Sequence, residues 1–322
     1  MAPPPPRFVP PRLITEENRS LINSFRSATS TPQETDTCMR SLHNLMTSNE
    51  DNGAAQFRAV ISELNAADLQ KMAWLLTSNS RYFLNIARNK NGSTRLQKLL
   101  GESDDVDTFF LAAFFRNFLP LMTNKEGSYV VFEGLRVFSN VKKMAMFPHI
   151  IEHVDKLASD PQGCVAFNGC ITVLDDHFIR GHMLNAVVIN AVSFSYHHYG
   201  NFVVQHVLDQ GDLRSTRDIA VNLRGHCVAL SLKRYGSYIV QKLLNARDLA
   251  MVLVVEELLE CGEERFVRLA RDQFGNFVVR TALRVTREER DDLFRGLVNK
   301  LRPLVHLLGG YYNIAAFLNS IH

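Results

Sequence analysis

The sequence contains a phrase that returns at nearly constant spacing, and this repetition limits the fold more than any other feature. HHYGNFVVQHVL at 197–208 returns as KRYGSYIVQKLL at 233–244 and as DQFGNFVVRTAL at 272–283, with weaker copies at 89–100, 124–135 and 160–171. The glycines of the six copies are Gly92, Gly127, Gly163, Gly200, Gly236 and Gly275. Their spacings of 35, 36, 37, 36 and 39 residues are typical of architectures in which one supersecondary unit is stacked many times.

The pattern inside each copy is helical. After the copy at Gly200, for example, Ile219, Ala220 and Leu223 follow the spacing of one helix face. No stretch shows sustained alternation of apolar and polar residues, so strands are not expected. Three short helices in about 36 residues cannot bury their own apolar faces, whereas stacked neighbours bury them in one continuous core. The sequence therefore predicts an all-α fold, a curved α-solenoid of stacked three-helix repeats.

Composition and charge narrow the class of protein. The 322 residues are 46% hydrophobic and 21% charged, which is typical of globular proteins. A net charge of +3 permits nucleic-acid binding without requiring it. The five cysteines include no CxxC pair, which disfavours a disulfide framework or a cysteine zinc site and favours a reducing compartment. Apolar runs such as AMVLVV at 250–255 are too short to cross a bilayer, so no membrane association is expected.

Three side chains after each repeat glycine form the candidate site. If the residue after the glycine is the first position, the first positions are Ser93, Ser128, Cys164, Asn201, Ser237 and Asn276. The second positions are Thr94, Tyr129, Val165, Phe202, Tyr238 and Phe277. The fifth positions are Gln97, Phe132, Asn168, Gln205, Gln241 and Arg280. Residues at i and i+4 share a helix face, so the first and fifth side chains are expected to point the same way in every repeat.

This arrangement of residue types fits the recognition of unpaired bases. Amides and hydroxyls can bond to the edge of a base, aromatic rings can stack on its face, and repeat proteins read single-stranded RNA at one base per repeat. The predicted base-edge residues are Ser93, Gln97, Ser128, Cys164, Asn168, Asn201, Gln205, Ser237, Gln241, Asn276 and Arg280. The predicted stacking residues are Thr94, Tyr129, Phe202, Tyr238 and Phe277. Candidate phosphate contacts are Lys90, Arg95, Lys98, Lys233, Arg234, Lys242, Arg271 and Arg280.

Catalytic and metal-binding functions find little support in the sequence. His149 and His153 have the i, i+4 spacing of zinc ligands on a helix, but neither an HExxH motif nor a third ligand accompanies them. No local Ser-His-Asp or Cys-His arrangement and no glycine-rich phosphate loop is recognisable. We therefore expect no catalytic residue, no metal and no cofactor, and the protein is not expected to be an enzyme.

The phrases GNFVVQ, GSYIVQ and GNFVVR at this spacing resemble the Pumilio (PUF) family of RNA-binding proteins. The resemblance covers residues 80 to 322, is most specific in the last three copies and fades around Gly163. LRPLVHLLGGYYNIAAFL at 301–318 resembles the closing cap of that fold. The domain organisation that follows is a disordered Pro-rich tail at 1–34 and a Pumilio homology domain at 35–322. Its predicted parts are an N-terminal cap or degenerate repeat at 35–79, repeats at about 80–115, 116–151, 152–187, 188–223, 224–260 and 261–300, and a C-terminal cap at 301–322.

The resemblance also implies an antiparallel RNA strand, with the C-terminal repeat at the 5′ base. The pair Asn201/Gln205 resembles the family's code for uracil. The pairs Ser237/Gln241 and Ser93/Gln97 resemble its code for adenine. Asn276 keeps half of a uracil pair, whereas the repeats at Gly127 and Gly163 depart from the code. Family members often have glutamate where Gln241 stands and read guanine there, so an altered specificity is expected. The reading implied, 5′ to 3′, is U-A-U, two tolerant positions and then A.

The resemblance implies a role in post-transcriptional control. The expected function is sequence-selective binding of single-stranded RNA, at 3′ untranslated regions of mRNA, to regulate translation and mRNA stability. A monomer in the cytoplasm that recruits repressor proteins would fit this role. The alternative is an α-solenoid scaffold that binds protein partners or structured RNA in ribosome biogenesis, in the nucleus or nucleolus.

Overall fold

The computed structural model of the chain describes residues 14–27, 32–307 and 314. Throughout these residues every regular element is a helix, and the predicted all-α fold is confirmed. The first three helices are α1 (Glu16–Arg26), α2 (Pro32–Thr47) and α3 (Gly53–Glu63).

Six triplets of helices follow, and each consists of a first helix, a middle helix and a helix that carries a repeat glycine in its first three residues. The triplets of the first half are α4 (Ala66–Thr77), α5 (Ser80–Ala87), α6 (Lys90–Gln97); α7 (Asp104–Arg116), α8 (Phe118–Met122), α9 (Lys125–Val137); and α10 (Asn140–Glu152), α11 (Val154–Ala158), α12 (Pro161–Val173). Those of the second half are α13 (His177–Ile189), α14 (Ala191–Tyr196), α15 (Gly200–Asp209); α16 (Leu213–Asn222), α17 (Cys227–Ser231), α18 (Arg234–Asn245); and α19 (Leu249–Glu260), α20 (Glu263–Arg271), α21 (Gly275–Glu289). Helix α22 (Asp291–Leu301) and a 3₁₀ helix (Arg302–Leu307) come last. We call α6, α9, α12, α15, α18 and α21 the glycine helices.

The described chain divides into two compact units. Of the described residues, the N-terminal unit comprises 14–27, 32–153 and Thr172–Leu174, and the C-terminal unit comprises Val154–Ile171, 175–307 and Ile314. In the N-terminal unit α4 packs on α7 and α6 on α9. In the C-terminal unit the first helices α13, α16 and α19 and then α22 pack in succession, and so do the glycine helices α15, α18 and α21. Within each unit, therefore, like helices stack on like helices.

Apolar residues of the glycine helices form the core between stacked triplets. The residues at the third and fourth positions after the last three repeat glycines are all fully buried: Val203, Val204, Ile239, Val240, Val278 and Val279. Burying a side chain of this size contributes roughly 1.5–3 kcal/mol relative to leaving it exposed. Burial at these two positions thus explains why an apolar pair recurs in the last five repeats, whereas the repeat at Gly92 has Arg95 and Leu96 there.

Each repeat glycine lies against the backbone of the middle helix before it. A methyl group on Gly127 would lie 2.9 Å from the carbonyl oxygen of Leu121, and one on Gly163 would lie 2.7 Å from that of Leu157. A methyl group on each remaining repeat glycine would lie 2.1 to 3.1 Å from the carbonyl oxygen six residues earlier; these are Gly92, Gly200, Gly236 and Gly275. The glycine therefore permits a close backbone approach that no other residue allows, and it marks where each glycine helix begins.

The residue three positions before the glycine caps the glycine helix in most repeats. Oδ1 of Asn124 accepts a hydrogen bond from the Gly127 amide at 2.9 Å, and the residues that cap equivalently are Asn89, Asp160, His197 and Asp272. Lys233 stands at this place before Gly236 and makes no side-chain cap. An N-terminal amide of α18 therefore lacks the side-chain acceptor that the other glycine helices have.

We expect Lys233→Asn to raise the free energy of unfolding by about 1 kcal/mol, because a side-chain oxygen would then accept from the Gly236 amide. Urea denaturation followed by circular dichroism measures the change. The matched control is Asn124→Ala, which removes an existing cap and should lower the stability by a similar amount. A midpoint that Lys233→Asn leaves unchanged while Asn124→Ala lowers it would contradict the predicted cap.

The prediction of a disordered tail over residues 1–34 is wrong for part of that segment. Helix α1 packs on α2 and α4, and it buries Leu21, Ile22 and Phe25. These residues lie on one helix face, while the Thr15 side chain caps the first turn. A short amphipathic pattern therefore specifies a packed helix even beside a Pro-rich stretch. The rest of the predicted tail, at 1–13 and 28–31, lies outside the described residues.

The predicted N-terminal cap or degenerate repeat at 35–79 contains most of α2 and all of α3 and α4. The predicted C-terminal cap at 301–322 is described only through the 3₁₀ helix and at Ile314, which is buried. The predicted repeat boundaries fall near the ends of the first helices, so each predicted repeat runs from one middle helix to the next first helix. These boundaries stay predictions.

Candidate nucleic-acid interface

The second position of every glycine helix is exposed. Phe202, Tyr238 and Phe277 are 41%, 49% and 50% exposed, although they are large rings flanked by buried residues. Thr94, Tyr129 and Val165 are exposed at the equivalent positions. In the C-terminal unit the three rings lie on α15, α18 and α21, which pack side by side. Exposed aromatic rings on successive stacked helices form the type of surface on which unpaired bases stack.

The first positions, by contrast, are mostly buried. Ser93, Ser128, Cys164, Asn201 and Ser237 are at most 2% exposed, and Asn276 is half-buried. The first members of most polar pairs therefore lie below the surface. The fifth positions Gln97, Phe132, Asn168, Gln205 and Gln241 are half-buried, and Arg280 is exposed. The predicted role of the first positions as base-edge contacts stays a prediction, and the structure gives these side chains partners inside the protein.

Asn201 has all of its polar atoms bonded within the chain. Its Nδ2 donates to the carbonyl oxygens of His197 and His198 at 2.9 and 2.7 Å. Its Oδ1 accepts from Nε2 of Gln205 at 2.9 Å. Asn201 therefore fixes the loop before α15 and orients the Gln205 amide, whose Oε1 is directed away from that bond.

The pair Ser237 and Gln241 is arranged similarly but is held less tightly. Oγ of Ser237 donates to the carbonyl oxygen of Arg234 at 2.9 Å. Nε2 of Gln241 donates to the backbone carbonyl of Ser237 at 3.2 Å. Across the described chain no donor is bonded to Oε1 of Gln241. In this repeat the half-buried Gln241 side chain is thus the polar group available to contact the edge of a base.

In the N-terminal unit Ser93 links two glycine helices. Its Oγ donates to the carbonyl oxygen of Glu126 on α9 at 2.7 Å and accepts from Nε2 of Gln97 at 3.0 Å. The first and fifth positions of α6 therefore face the next glycine helix. Oγ of Ser128 donates to the carbonyl oxygen of Lys125 within α9.

The repeats that depart from the code also differ in geometry. Phe132 packs edge-on against Tyr129, with the ring centroids 6.0 Å apart, so an apolar pair replaces an edge reader. Cys164 donates to the carbonyl oxygen of Pro161. Burial raises the pKa of the Cys164 thiol, which keeps this group neutral. Asn168 donates from Nδ2 to the carbonyl oxygen of Phe202 at 3.4 Å.

In the last repeat the stacking residue Phe277 lies beside a cationic side chain, Arg280. Nδ2 of Asn276 donates to the carbonyl oxygen of Asp272 at 2.7 Å. The guanidinium of Arg280 lies over the ring of Phe277, 5.9 Å from its centroid. An arginine in this position can contact both a phosphate and a stacked base.

Two of the predicted phosphate contacts are engaged elsewhere. Arg95 is 6% exposed, and its guanidinium donates to the carbonyl oxygens of Leu45 and Ser48 at 2.9 Å. Burial lowers the pKa of Arg95, and the two carbonyls at the end of α2 compensate its charge. The prediction of Arg95 as a phosphate contact is therefore wrong. Lys242 forms an ion pair with Asp209, whereas Lys90, Lys98, Lys233, Arg234 and Arg271 are exposed.

The sequence prediction did not include one aromatic residue, Tyr235, which contacts the stacking residue Phe202. The ring of Tyr235 is 5.4 Å from that of Phe202 and 5.7 Å from the imidazole of His198. Arg234 lies over the Tyr235 ring at 5.5 Å. The signal in the sequence is the aromatic residue that directly precedes the glycine, as in Tyr199, Tyr235 and Phe274.

The two histidines considered as metal ligands have other neighbours. His149 stacks on Phe115 with 4.2 Å between ring centroids, and His153 lies against Phe118 at 5.5 Å. Among the residues that the structure describes, no three His, Cys, Asp or Glu side chains come together as metal ligands would. Nor does the described part of the chain contain a helix long and apolar enough to span a membrane.

Comparisons with known proteins agree with this architecture. The sequence profile of the Pumilio-family RNA binding repeat matches residues 190–220, 226–252 and 265–297. The chain is 51% identical to pumilio homolog 19 and 47% identical to pumilio homolog 18 of Arabidopsis thaliana, each over 87% of this chain and 85% of the relative. Its fold matches the Puf4 RNA binding domain bound to an HO endonuclease RNA 3′ UTR recognition sequence, with a TM-score of 0.72, 20% identity and 92% of each chain covered. The fold is thus the α-solenoid of Puf repeats, and the chain belongs to the Pumilio family.

Proposed function

We propose that this protein binds single-stranded RNA with sequence selectivity, one base per repeat. The observation that carries the proposal is the exposure of Phe202, Tyr238 and Phe277 on three glycine helices that pack side by side. Each stacked base would contribute about 1–3 kcal/mol. Large exposed rings at one position of successive repeats have no role in the core, since the residues beside them already fill it.

The three positions of each repeat have different roles in this proposal. The second position stacks on a base. The fifth position contacts the base edge, because it is the polar member of the pair that reaches the surface. The first position holds the fifth in place, as Asn201 holds Gln205 through a 2.9 Å hydrogen bond.

Gln241 provides a test of base reading at a single position. We expect Gln241→Glu to shift the preference at the second base of 5′-UAUUUA from adenine to guanine. A carboxylate accepts from both N–H groups on the Watson–Crick edge of guanine, whereas an amide cannot. Discrimination of about 1–3 kcal/mol corresponds to a change of about 5- to 150-fold in relative affinity. Fluorescence anisotropy with 5′-UAUUUA and 5′-UGUUUA measures both affinities.

The third base of the same RNA is the internal control for this substitution. Its preference should not change, because it faces Gln205 rather than Gln241. Equal preferences in the wild type and in Gln241→Glu at the second base would refute reading by the fifth position.

The finer biological role follows from the same proposal. Puf4, one structural neighbour, was solved with a 3′ UTR recognition sequence, which supports mRNA 3′ untranslated regions as targets of this chain. We propose that binding regulates translation and mRNA stability through recruited repressor proteins, without an enzymatic activity of the chain. A monomer acting in the cytoplasm fits this role.

The alternative, a scaffold for protein partners or structured RNA in ribosome biogenesis, is favoured by one observation. In the repeat at Gly127 the fifth position is Phe132, which packs on Tyr129 instead of presenting a polar edge. Competition with duplex RNA separates the two functions. A duplex that displaces 5′-UAUUUA at equal concentration would favour the scaffold, and a duplex that fails to displace it would support the reading of single strands.

A further inference from the structure

Tyr235, the residue directly before Gly236, contacts the stacking residue of the preceding repeat. It lies in the first turn of α18, and its ring centroid is 5.4 Å from that of Phe202 on α15, with the two ring planes 60° apart. Aromatic rings attract each other over distances of about 4.5–7 Å in such tilted arrangements. Since α15 and α18 pack side by side, one repeat supplies an aromatic neighbour to the stacking position of another.

Two further side chains contact the Tyr235 ring. The imidazole of His198, just before α15, lies nearly perpendicular to it, with 5.7 Å between the ring centroids. The guanidinium of Arg234 lies over it, 5.5 Å from the centroid, where a cation is attracted to the face of a ring. Tyr235 is also half-buried. These contacts restrict the orientations that the ring can adopt.

A restricted neighbour matters for Phe202 because this side chain is 41% exposed. Exposed side chains change rotamer within picoseconds to nanoseconds, and a ring that reorients offers a base no fixed face. The contact with Tyr235 favours one orientation of Phe202 before RNA binds. A base stacked on that ring then meets the Gln205 amide in one geometry, and such pre-organisation lowers the cost of binding.

The equivalent residues of the two adjacent repeats do not make this contact. Phe274 stands at this place in the last repeat, and among the described side chains its ring has no aromatic contact with Tyr238. Tyr199 stands there in the repeat before, and its ring packs on the two histidines that precede it. The second position of the glycine helix before Tyr199 is Val165, which has no ring. Within the described chain the contact is thus a property of the junction between α15 and α18.

We propose that Tyr235 is a positioning residue for the third base: it holds the Phe202 ring in the orientation in which a stacked base meets Gln205. This inference rests on the proposed RNA-binding function. It makes the selectivity at one base depend on two successive repeats. Tyr235 acts through Phe202, so its effect falls on the base read by α15 and not on the base read by its own helix α18.

Replacement of the Tyr235 ring tests the inference on the full chain. The probes are 5′-UAUUUA, 5′-UAAUUA and 5′-UGUUUA, measured by fluorescence anisotropy with the wild type, Tyr235→Leu and Tyr235→Met. Both variants should reduce the preference for uracil over adenine at the third base about fivefold, which is the effect expected of one aromatic contact. The preference at the second base should stay unchanged, although Gln241 shares α18 with Tyr235. A merely structural role in α18 would change the second base as well.

Three variants serve as controls. Tyr235→Phe keeps the ring and should retain the wild-type preferences at both bases. Phe274→Leu removes a ring from the same place in the next repeat and should retain the preference at the third base. Phe202→Leu combined with Tyr235→Leu should bind 5′-UAUUUA as Phe202→Leu alone does, because residues that act as a unit have non-additive effects.

Circular dichroism during urea denaturation shows that each variant is folded, and methionine is the second replacement because its unbranched chain fills irregular space. An unchanged preference at the third base in a folded leucine or methionine variant would overturn this inference and leave the proposed function intact. So would an equal loss of preference at the second base. Failure of the wild type to bind 5′-UAUUUA would overturn both.

Discussion

Replacing Phe202, Tyr238 and Phe277 together by alanine is expected to weaken binding of 5′-UAUUUA by at least about 100-fold. Each ring stacks on a base in the proposed complex, and stacking contributes roughly 1–3 kcal/mol per base. The three side chains are 41% to 50% exposed, so the free energy of unfolding should change little. Anisotropy measures the affinity, and circular dichroism during urea denaturation measures the stability.

The control for this triple variant removes exposed apolar side chains from the first helices of the same unit. Phe178, Leu213 and Leu249 are 61%, 57% and 47% exposed on α13, α16 and α19. Their replacement by alanine should leave the affinity within about twofold of the wild type, since surface substitutions away from a site have small effects. Equal losses in the two triple variants would mean that general surface hydrophobicity, and not the second position, binds the RNA.

Gly236→Ala is expected to lower the free energy of unfolding by about 2–3 kcal/mol. The added methyl group would overlap the carbonyl oxygen of Leu230, so α18 must move away from α17, and overpacking of this kind costs about 1–3 kcal/mol. Movement of α18 also disturbs its packing on α15 and α21. Urea denaturation of the variant and the wild type gives the difference.

Gly181→Ala is the matched control, because this glycine also lies in a helix of the C-terminal unit. Apart from its chain neighbours and the backbone of its own helix, no atom lies within 4 Å of a methyl group at Gly181, and alanine is the better helix former by about 0.5–1 kcal/mol. This variant should therefore be more stable than the wild type. If both variants were more stable, the repeat glycines would not be explained by close backbone approach.

The fold could be predicted from the sequence because periodicity records burial. An apolar pair recurs at the third and fourth positions of the last five repeats because both positions are buried in the core, as the full burial of Val203 and Val204 illustrates. The exposed rings at Phe202, Tyr238 and Phe277 were also predictable, because aromatic residues at one fixed position next to core positions need a function outside the core.

The depth of the polar pairs could not be predicted in the same way. Side chains at positions i and i+4 lie on the same helix face. The sequence pattern does not indicate how much of each side chain is buried by the neighbouring residues. Asn201 is buried because two carbonyl oxygens and Gln205 satisfy its amide. Arg95 was wrongly predicted as a phosphate contact for a related reason, since the carbonyls that it binds belong to Leu45 in α2 and to Ser48 just after it, 50 and 47 residues earlier. Contacts of this range leave no local pattern.

Photocrosslinking tests most directly whether the second positions hold the bases. RNA of the sequence 5′-UAUUUA would carry 5-bromouridine at the first or the third base, and mass spectrometry would identify the crosslinked residue. The first base is predicted to crosslink to Phe277, and the third to Phe202 or its neighbour Tyr235. Crosslinks on the first helices α13, α16 or α19, or the same residue for both labelled bases, would contradict the account.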